Sequence, residues 1–176
     1  YRLALIGVMT AILCILGPLS IPLPFSPVPL SLTNFAILLA VFLLGWKWGT
    51  VSCGIYLLLG LVGVPVFSGF SGGMAKLLGP TGGYLVGFLL LAVISGLFVE
   101  KFEQARLPVA AGMALGMLVD YLFGTLWLAI LMKLSFGQAL MMGVVPYLAG
   151  DAVKLIIALL LGSALLRRLQ ALRILV

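Results

Sequence analysis

The sequence predicts an all-α integral membrane protein: a bundle of six transmembrane helices with both termini on the cytoplasmic side. Three observations predict it. First, 64% of the residues are hydrophobic and 8% are charged, against about 45–50% apolar and about 25% charged residues in soluble domains. A soluble fold of 176 residues has too little interior to hide that much apolar surface. A bilayer accepts it, because spanning helices satisfy their own backbone polar groups. Second, the long apolar runs are separated by short segments rich in proline, glycine or charge. Third, the basic residues are unevenly shared between the two faces that six crossings define. Arg2, Lys47, Lys101, Arg106, Arg167, Arg168 and Arg173 fall on one face, Lys76 and Lys133 on the other, and Lys154 within the membrane. The excess marks the first face as cytoplasmic. Residues 1–176 leave no room for a second domain and read as a single transmembrane unit.

The first apolar run, residues 2–17, is short for a full crossing. The chain opens at Tyr1 rather than at methionine, and a missing N-terminal stretch is the expectation. Pro18, Pro22, Pro24, Pro27 and Pro29 then interrupt any helix. The apolar but non-helical segment they create needs protein or water to shield its backbone. A second helix is expected over 32–44, followed by the interfacial GWKWG of Gly45–Gly49, and a third over 50–63. Residues 64–80, rich in glycine and serine, are long for a loop and read as a re-entrant or lid element. Pro80 suits the start of a fourth helix over 81–99. Residues 100–108 form the most polar segment, read as an exposed loop. A fifth helix is expected over 109–130, a connector over 131–145 and a sixth helix over 146–169.

Several function classes are excluded or disfavoured. The basic residues sit at the ends of apolar runs and form no phosphate-binding face, so nucleic acid is not a partner; the partner the surface calls for is the lipid bilayer. No GxxxxGK[ST], GxGxxG or GxSxG motif occurs. The chain has no histidine, which disfavours the usual zinc and haem sites and removes the commonest catalytic base. No catalytic residue, metal site or cofactor is expected. Cys14 and Cys53 lie within apolar runs and read as small buried hydrophobes.

The candidate site residues are those that are costly in a membrane. An Asp or Lys at a helix centre costs about 3 kcal/mol on insertion scales. Asp151 and Lys154, three residues apart in PYLAGDAVKLII, share one helix face. They either neutralise each other as a structural pair or offer an acceptor and a cation to a ligand. A ureido or amide ring suits them, since Asp accepts N–H bonds and Lys donates to a carbonyl. Both lie near the face that carries the three unusual connectors, so a cavity open to the outside is expected there. Asp120, mid-helix in GMLVDYLFGTLW, should also face inward, with Lys154, Tyr121, Tyr147 or Thr125 as partner. GPTGGY opens a helix at Gly82 and Gly83; it is either a plain tight junction of loop and helix or an anion site built from the unpaired N–H groups of the helix start, with Ser71 and Lys76 nearby as donors. Thr33 and Asn34 either cap the second helix or face the cavity. Tyr84 and Trp127 either pack in the core or against an apolar ring of a ligand. Gly7 and Ala11, like Gly112 and Gly116, have the small-residue spacing of close helix contacts.

PFSPVPLSL (Pro24–Leu32), YLLLGLVGVPVFSGFSGG (Tyr56–Gly73), LGPTGGYLVGF (Leu78–Phe88) and GDAVK (Gly150–Lys154) together resemble the BioY family, the biotin-binding substrate (S) components of energy-coupling factor (ECF) vitamin transporters. The resemblance implies a six-helix protein of the prokaryotic plasma membrane that captures biotin from outside. It implies as partners an EcfT-like transmembrane coupling subunit and two ATPase subunits, with no catalysis in this chain. By the same resemblance Asp151 and Lys154 grip the ureido ring, Ser71 stands where some relatives carry asparagine, and Gly7 and Ala11 occupy a docking surface for the coupling subunit. Two positions depart from the pattern. Leu85 stands where some relatives carry an arginine for the carboxylate, and Thr33 where glutamine is common; Lys76 or the Gly82 and Gly83 N–H groups would have to replace the arginine. The alternatives are an S component for another vitamin, or a structural membrane subunit whose Asp–Lys pair only fixes helix packing.

Overall fold

The computed structural model describes residues 2–102 and 105–171. Residues 103–104 of the polar loop expected at 100–108, Arg173 and the side chain of Arg2 lie outside what it describes. The elements run α1 (Arg2–Leu16), β1 (Ser20–Leu23), β2 (Ser26–Ser31), α2 (Thr33–Leu61), α3 (Met74–Leu78), α4 (Gly82–Lys101), α5 (Arg106–Met132), α6 (Phe136–Gly143), a 3-10 turn (Val145–Tyr147) and α7 (Leu148–Ala171). Four helical stretches are long and apolar enough to cross a membrane: Thr33–Leu61, Gly82–Lys101, Arg106–Met132 and Phe136–Ala171; Leu3–Leu16 is a shorter apolar helix.

The longest helix is not straight. Gly45 adopts φ 75°, ψ 178° inside α2, a backbone conformation that essentially only glycine enters. A Cβ placed on Gly49 would lie 2.7 Å from the Cα of Val41, whereas eight residues span about 12 Å along a continuous helix. The chain therefore turns back at Gly45, and residues 33–44 and 46–61 are two antiparallel arms. Trp46 closes the turn against α4, where a Cβ on Gly96 would come within 2.5 Å of its Cα. The expected helices over 32–44 and 50–63 correspond to these arms, the second starting a turn earlier.

Two of the expected connectors carry regular structure. The proline-rich segment forms an antiparallel hairpin, with Ser20 opposite Ser31 and Ile21 opposite Leu30. Proline is tolerated on such a two-stranded edge because half of its N–H groups have no ladder partner. The connector expected at 131–145 contains α6. Its start is a capping box: Ser135 Oγ accepts from the Gln138 N–H at 3.3 Å, and Gln138 Oε1 accepts from the Ser135 N–H at 3.0 Å. α5 also begins earlier than expected, at Arg106, because Pro108 is tolerated in a first helical turn.

The core gathers Leu13 of α1, Ile37, Leu38, Tyr56 and the loop residue Phe67, Leu91 of α4 and Met113 of α5, all fully buried. Gly112 and Gly116 bring α5 onto α4: added Cβ atoms would sit 2.1 Å from Phe98 and 2.6 Å from Ser95 Oγ. Their small-residue spacing thus serves contact within the bundle. Gly7 and Ala11, by contrast, lie on the exposed face of α1, with nothing within 4 Å of a Cβ on Gly7. Thr10, on the inward face, bonds Ser52 Oγ at 3.0 Å.

One end of the bundle holds the Gly45 turn, the end of α4, the start of α5 and the end of α7; Arg106, Arg167 and Phe42 line a common crevice there. The other end holds the β1–β2 hairpin, the 64–80 loop and α6. That loop is anchored by Phe67, which stacks edge-on against Tyr56 at 5.6 Å and occupies the space a Cβ on Gly60 would need. The Gly69 N–H donates to the Pro18 carbonyl at 3.1 Å, tying the loop to the hairpin.

Candidate functional site

A polar cavity of about 60 Å³ opens at the hairpin end of the bundle. β2 supplies one wall (Val28–Ser31), α4 supplies Tyr84 and Phe88, α5 Asp120 and Tyr121, and α7 Asp151 and Lys154, with Asn34, Gly143 and Tyr147 completing the lining. Glycines create the room. Tyr84 lies where Cβ atoms on Gly124 and Gly143 would otherwise fall, at 2.2 Å from each, and its hydroxyl donates to the Gly143 carbonyl at 3.0 Å.

Asp151 and Lys154 form an ion pair with Nζ–Oδ1 2.8 Å. Asp151 is 5% exposed. Lys154 Nζ also donates to the Ser31 carbonyl at 2.5 Å, fastening α7 to the last residue of β2. The Tyr121 hydroxyl donates to Asp151 Oδ2. An ammonium has three donors and a carboxylate about four acceptor positions. Two of the ammonium donors are engaged with Ser31 and Asp151, and two carboxylate positions with Lys154 and Tyr121. The pair therefore keeps one N–H and two lone pairs for another molecule in the cavity.

Asp120 faces inward as expected, but none of its expected partners holds it. Tyr121 is taken by Asp151, Tyr147 turns to Ser26 and Val28, and Asp120 Oδ1 is buried without a partner. A Cβ on Gly87 would meet that oxygen at 2.2 Å, so α4 is notched where the carboxyl sits. Tyr147 stiffens the opposite wall: its hydroxyl lies between Ser26 Oγ at 2.8 Å and the Val28 carbonyl, while Ser26 Oγ donates to the Met142 carbonyl at 2.8 Å.

A second cavity of about 40 Å³ adjoins the first, sharing Val28, Pro29, Ser31, Tyr84 and Phe88. Its further lining is Thr33, Tyr56, Ser68, Thr81 and Leu85. Of the sequence candidates, Asp151, Lys154, Asp120, Tyr84 and Asn34 come together at the first cavity. Asn34 is not the helix cap: α2 is entered from Leu32 without a side-chain cap, and Asn34 Oδ1 accepts from the adjacent Phe35 N–H. Ser71 and Lys76 line neither cavity; both donate to the Ser68 carbonyl, at 2.8 and 3.4 Å. Burial pulls the Lys76 ammonium below the ordinary lysine range. Gly82 and Gly83 are absent from both linings: Cβ atoms there would strike the Leu77 carbonyl at 1.6 Å and Trp127 at 2.3 Å, so they serve close packing. Trp127 donates from Nε1 to the Gly79 carbonyl at 3.0 Å and holds the loop before α4. Among the described residues no cluster of His, Cys, Asp and Glu could hold a metal.

Sequence reasoning missed the β2 wall, Phe88, Tyr56 and Thr81; of the partners it offered Asp120, Tyr121 bonds Asp151 instead and Tyr147 bonds Ser26 and Val28. One signal was legible: tyrosines within apolar helices need a partner for their hydroxyls.

The fold and the site define a multi-pass membrane protein whose intramembrane ion pair faces a polar cavity at one end of the helix bundle. The BioY family model matches residues 1–171, and the chain belongs to that family. A biotin transporter BioY of Thermotoga maritima is 40% identical over 159 residues, covering 90% of this chain and 92% of the relative. A probable biotin transporter BioY of Pyrococcus horikoshii is 37% identical over 164 residues, covering 93% and 95%. The crystal structure of the S-component for biotin from an ECF-type ABC transporter matches with a TM-score of 0.87 at 35% identity, covering 93% of this chain and 89% of that one.

Proposed function

We propose that this chain is the membrane-embedded biotin-binding component of a vitamin uptake transporter, crossing the membrane six times with both termini cytoplasmic. The reversal at Gly45 supports six crossings, since it divides α2 into two arms. The basic end of the bundle, with Lys47, Lys101, Arg106, Arg167 and Arg168, supports a cytoplasmic assignment for the Gly45 turn. The cavity then opens to the outside.

The observation that carries the function is the buried Asp151–Lys154 pair with unused hydrogen-bonding capacity at the cavity wall. A ureido ring has one carbonyl and two N–H groups. Lys154 donates its remaining N–H to the carbonyl, and Asp151 accepts from one ring N–H. Asp120, which lines the same cavity and whose Oδ1 has no partner among the described residues, accepts from the other. Charge-assisted bonds of this kind are about twice as strong as neutral ones. The valerate chain then runs past Tyr84 and Phe88 into the second cavity. Drug-sized ligands occupy about 300–1,000 Å³, more than these two cavities offer. Ligand entry therefore parts the shared wall, and the 64–80 loop reorders with it. Delivery inward falls to partners: an EcfT-like coupling subunit, docking on the exposed Gly7–Ala11 face of α1, and two ATPase subunits.

One observation favours a second reading. Ser31 and Tyr121 already give Lys154 and Asp151 one further bond each within the protein, as a structural ion pair would have. A vitamin panel on the purified, detergent-solubilised protein, read by calorimetry or tryptophan quenching, separates the two. Tight binding of biotin, without thiamine, riboflavin or folate, is the expected result; equal and weak responses to all four defeat the proposal.

A further inference from the structure

The second cavity contains a set of hydroxyls with unspent donors. Tyr56 is fully buried and Thr81 is 7% exposed, and the oxygens of both lack a partner. Leaving such groups unpaired costs about 1–3 kcal/mol each; Thr50, Ser95 and Thr125 also lack partners, but Tyr56 and Thr81 are the unpartnered hydroxyls that line this cavity. Thr33, 2% exposed, accepts from Ser31 Oγ at 3.2 Å and so keeps its own O–H to donate. All three line one space. Gly17 makes room for the tyrosine: a Cβ there would fall 2.6 Å from its hydroxyl oxygen. Among the described residues no lysine or arginine lines this cavity, and Leu85 is among its walls.

Resting on the reading of the chain as a biotin binder, we infer that the Tyr56, Thr81 and Thr33 hydroxyls form the subsite for the ligand's carboxylate, holding the anion by neutral O–H donors without a positive side chain. Each of the three hydroxyls has one O–H to direct at a ligand, and a hydrogen bond to a charged acceptor is stronger than one to a neutral group, so a carboxylate that accepts several of them gains more here than a primary amide. The two ends of the ligand site are also linked. Ser31 accepts from Lys154 through its carbonyl and donates to Thr33 through its hydroxyl, so one residue of β2 sets the distance between the urea end and the carboxylate end.

The test compares biotin with biotinamide on the purified protein and on the Tyr56→Phe, Thr81→Val and Lys76→Gln variants, by calorimetry. A hydrogen bond to a charged group is worth roughly a tenfold change in affinity or more. Y56F and T81V should each weaken biotin about tenfold or more while leaving biotinamide within about threefold. K76Q should retain the wild-type preference for biotin. Equal losses for both ligands in Y56F and T81V would make the hydroxyls structural and overturn the inference. Loss of the preference in K76Q alone would move the carboxylate to Lys76 and overturn it as well. Failure of the wild type to bind biotin would instead remove the proposed function, and this subsite with it. Retained biotinamide binding shows that the variants fold.

Discussion

Replacing Lys154 by methionine isolates what the ion pair does. The ammonium makes two bonds, to Ser31 at 2.5 Å and to Asp151 at 2.8 Å. Its loss frees β2 from α7 and leaves Asp151 with Tyr121 alone. Breaking a buried pair in a soluble protein costs about 3–5 kcal/mol. In a bilayer the unfolded helices also find polar partners, and measured polar contacts average about 0.6 kcal/mol with a maximum near 1.7. An ion pair with two bonds should fall between these, at about 2 kcal/mol of stability. Biotin loses a charge-assisted bond of about 1.5–3 kcal/mol, a factor of about 10–150 in Kd. The double variant Asp151→Asn, Lys154→Met decides between the roles. It removes both charges, and replacing a buried pair with uncharged groups is often neutral for stability. Thermal unfolding should therefore return toward wild type in the double variant while calorimetry shows biotin binding still lost. Wild-type biotin affinity in the double variant would refute the assignment and leave the pair structural.

Three further outcomes follow from the geometry. Gly87→Ala forces a Cβ to within 2.2 Å of Asp120 Oδ1 and 3.1 Å of its Cα; overpacking of this kind costs about 1–3 kcal/mol, read as a lowered unfolding temperature together with weakened biotin binding. Gly45→Ala strains a backbone at φ 75° by about 1–3 kcal/mol; stability should fall while the affinity of folded protein for biotin is unchanged, because the turn lies at the opposite end from the cavity. Lys76, held below the ordinary lysine value of 10.5 by burial, binds its proton less readily in the folded chain than in the unfolded one. Between its lowered value and 10.5 the unfolded state therefore carries more protons, and stability rises with pH. Unfolding temperatures measured across that alkaline range should show wild type gaining relative to Lys76→Met, and an identical pH course for both would contradict the burial argument.

Much of the fold could be read before the structure, for a physical reason. A bilayer restricts spanning segments to a few elements, and Pro18–Pro29, the Gly45–Gly49 turn and Pro80 punctuate them visibly. The pair at Asp151 and Lys154 was legible because charge is expensive in lipid and three residues mark one helix face. The β1–β2 hairpin was not, since its prolines suppress the strand signal and it is held in place by contacts distant in sequence, with α6, Tyr147 and Lys154. α6 was overlooked although Ser135 and Gln138 have capping-box spacing. Partnerships were the hardest to read. Asp120 has four plausible partners along the chain and pairs with none of them, because helix rotation, set by glycines such as Gly87, decides where its carboxyl points. Gly82 and Gly83 illustrate the same limit: the sequence left a close-packed junction and an anion site equally open, and both glycines pack closely against Leu77 and Trp127.

A crystal structure with biotin bound puts the account to its most direct test. The bicyclic head should sit in the first cavity, its carbonyl oxygen about 2.7–3.2 Å from Lys154 Nζ and a ring N–H directed at Asp151. A vitamin lodged elsewhere, or reversed so that its carboxylate meets that lysine, would contradict it.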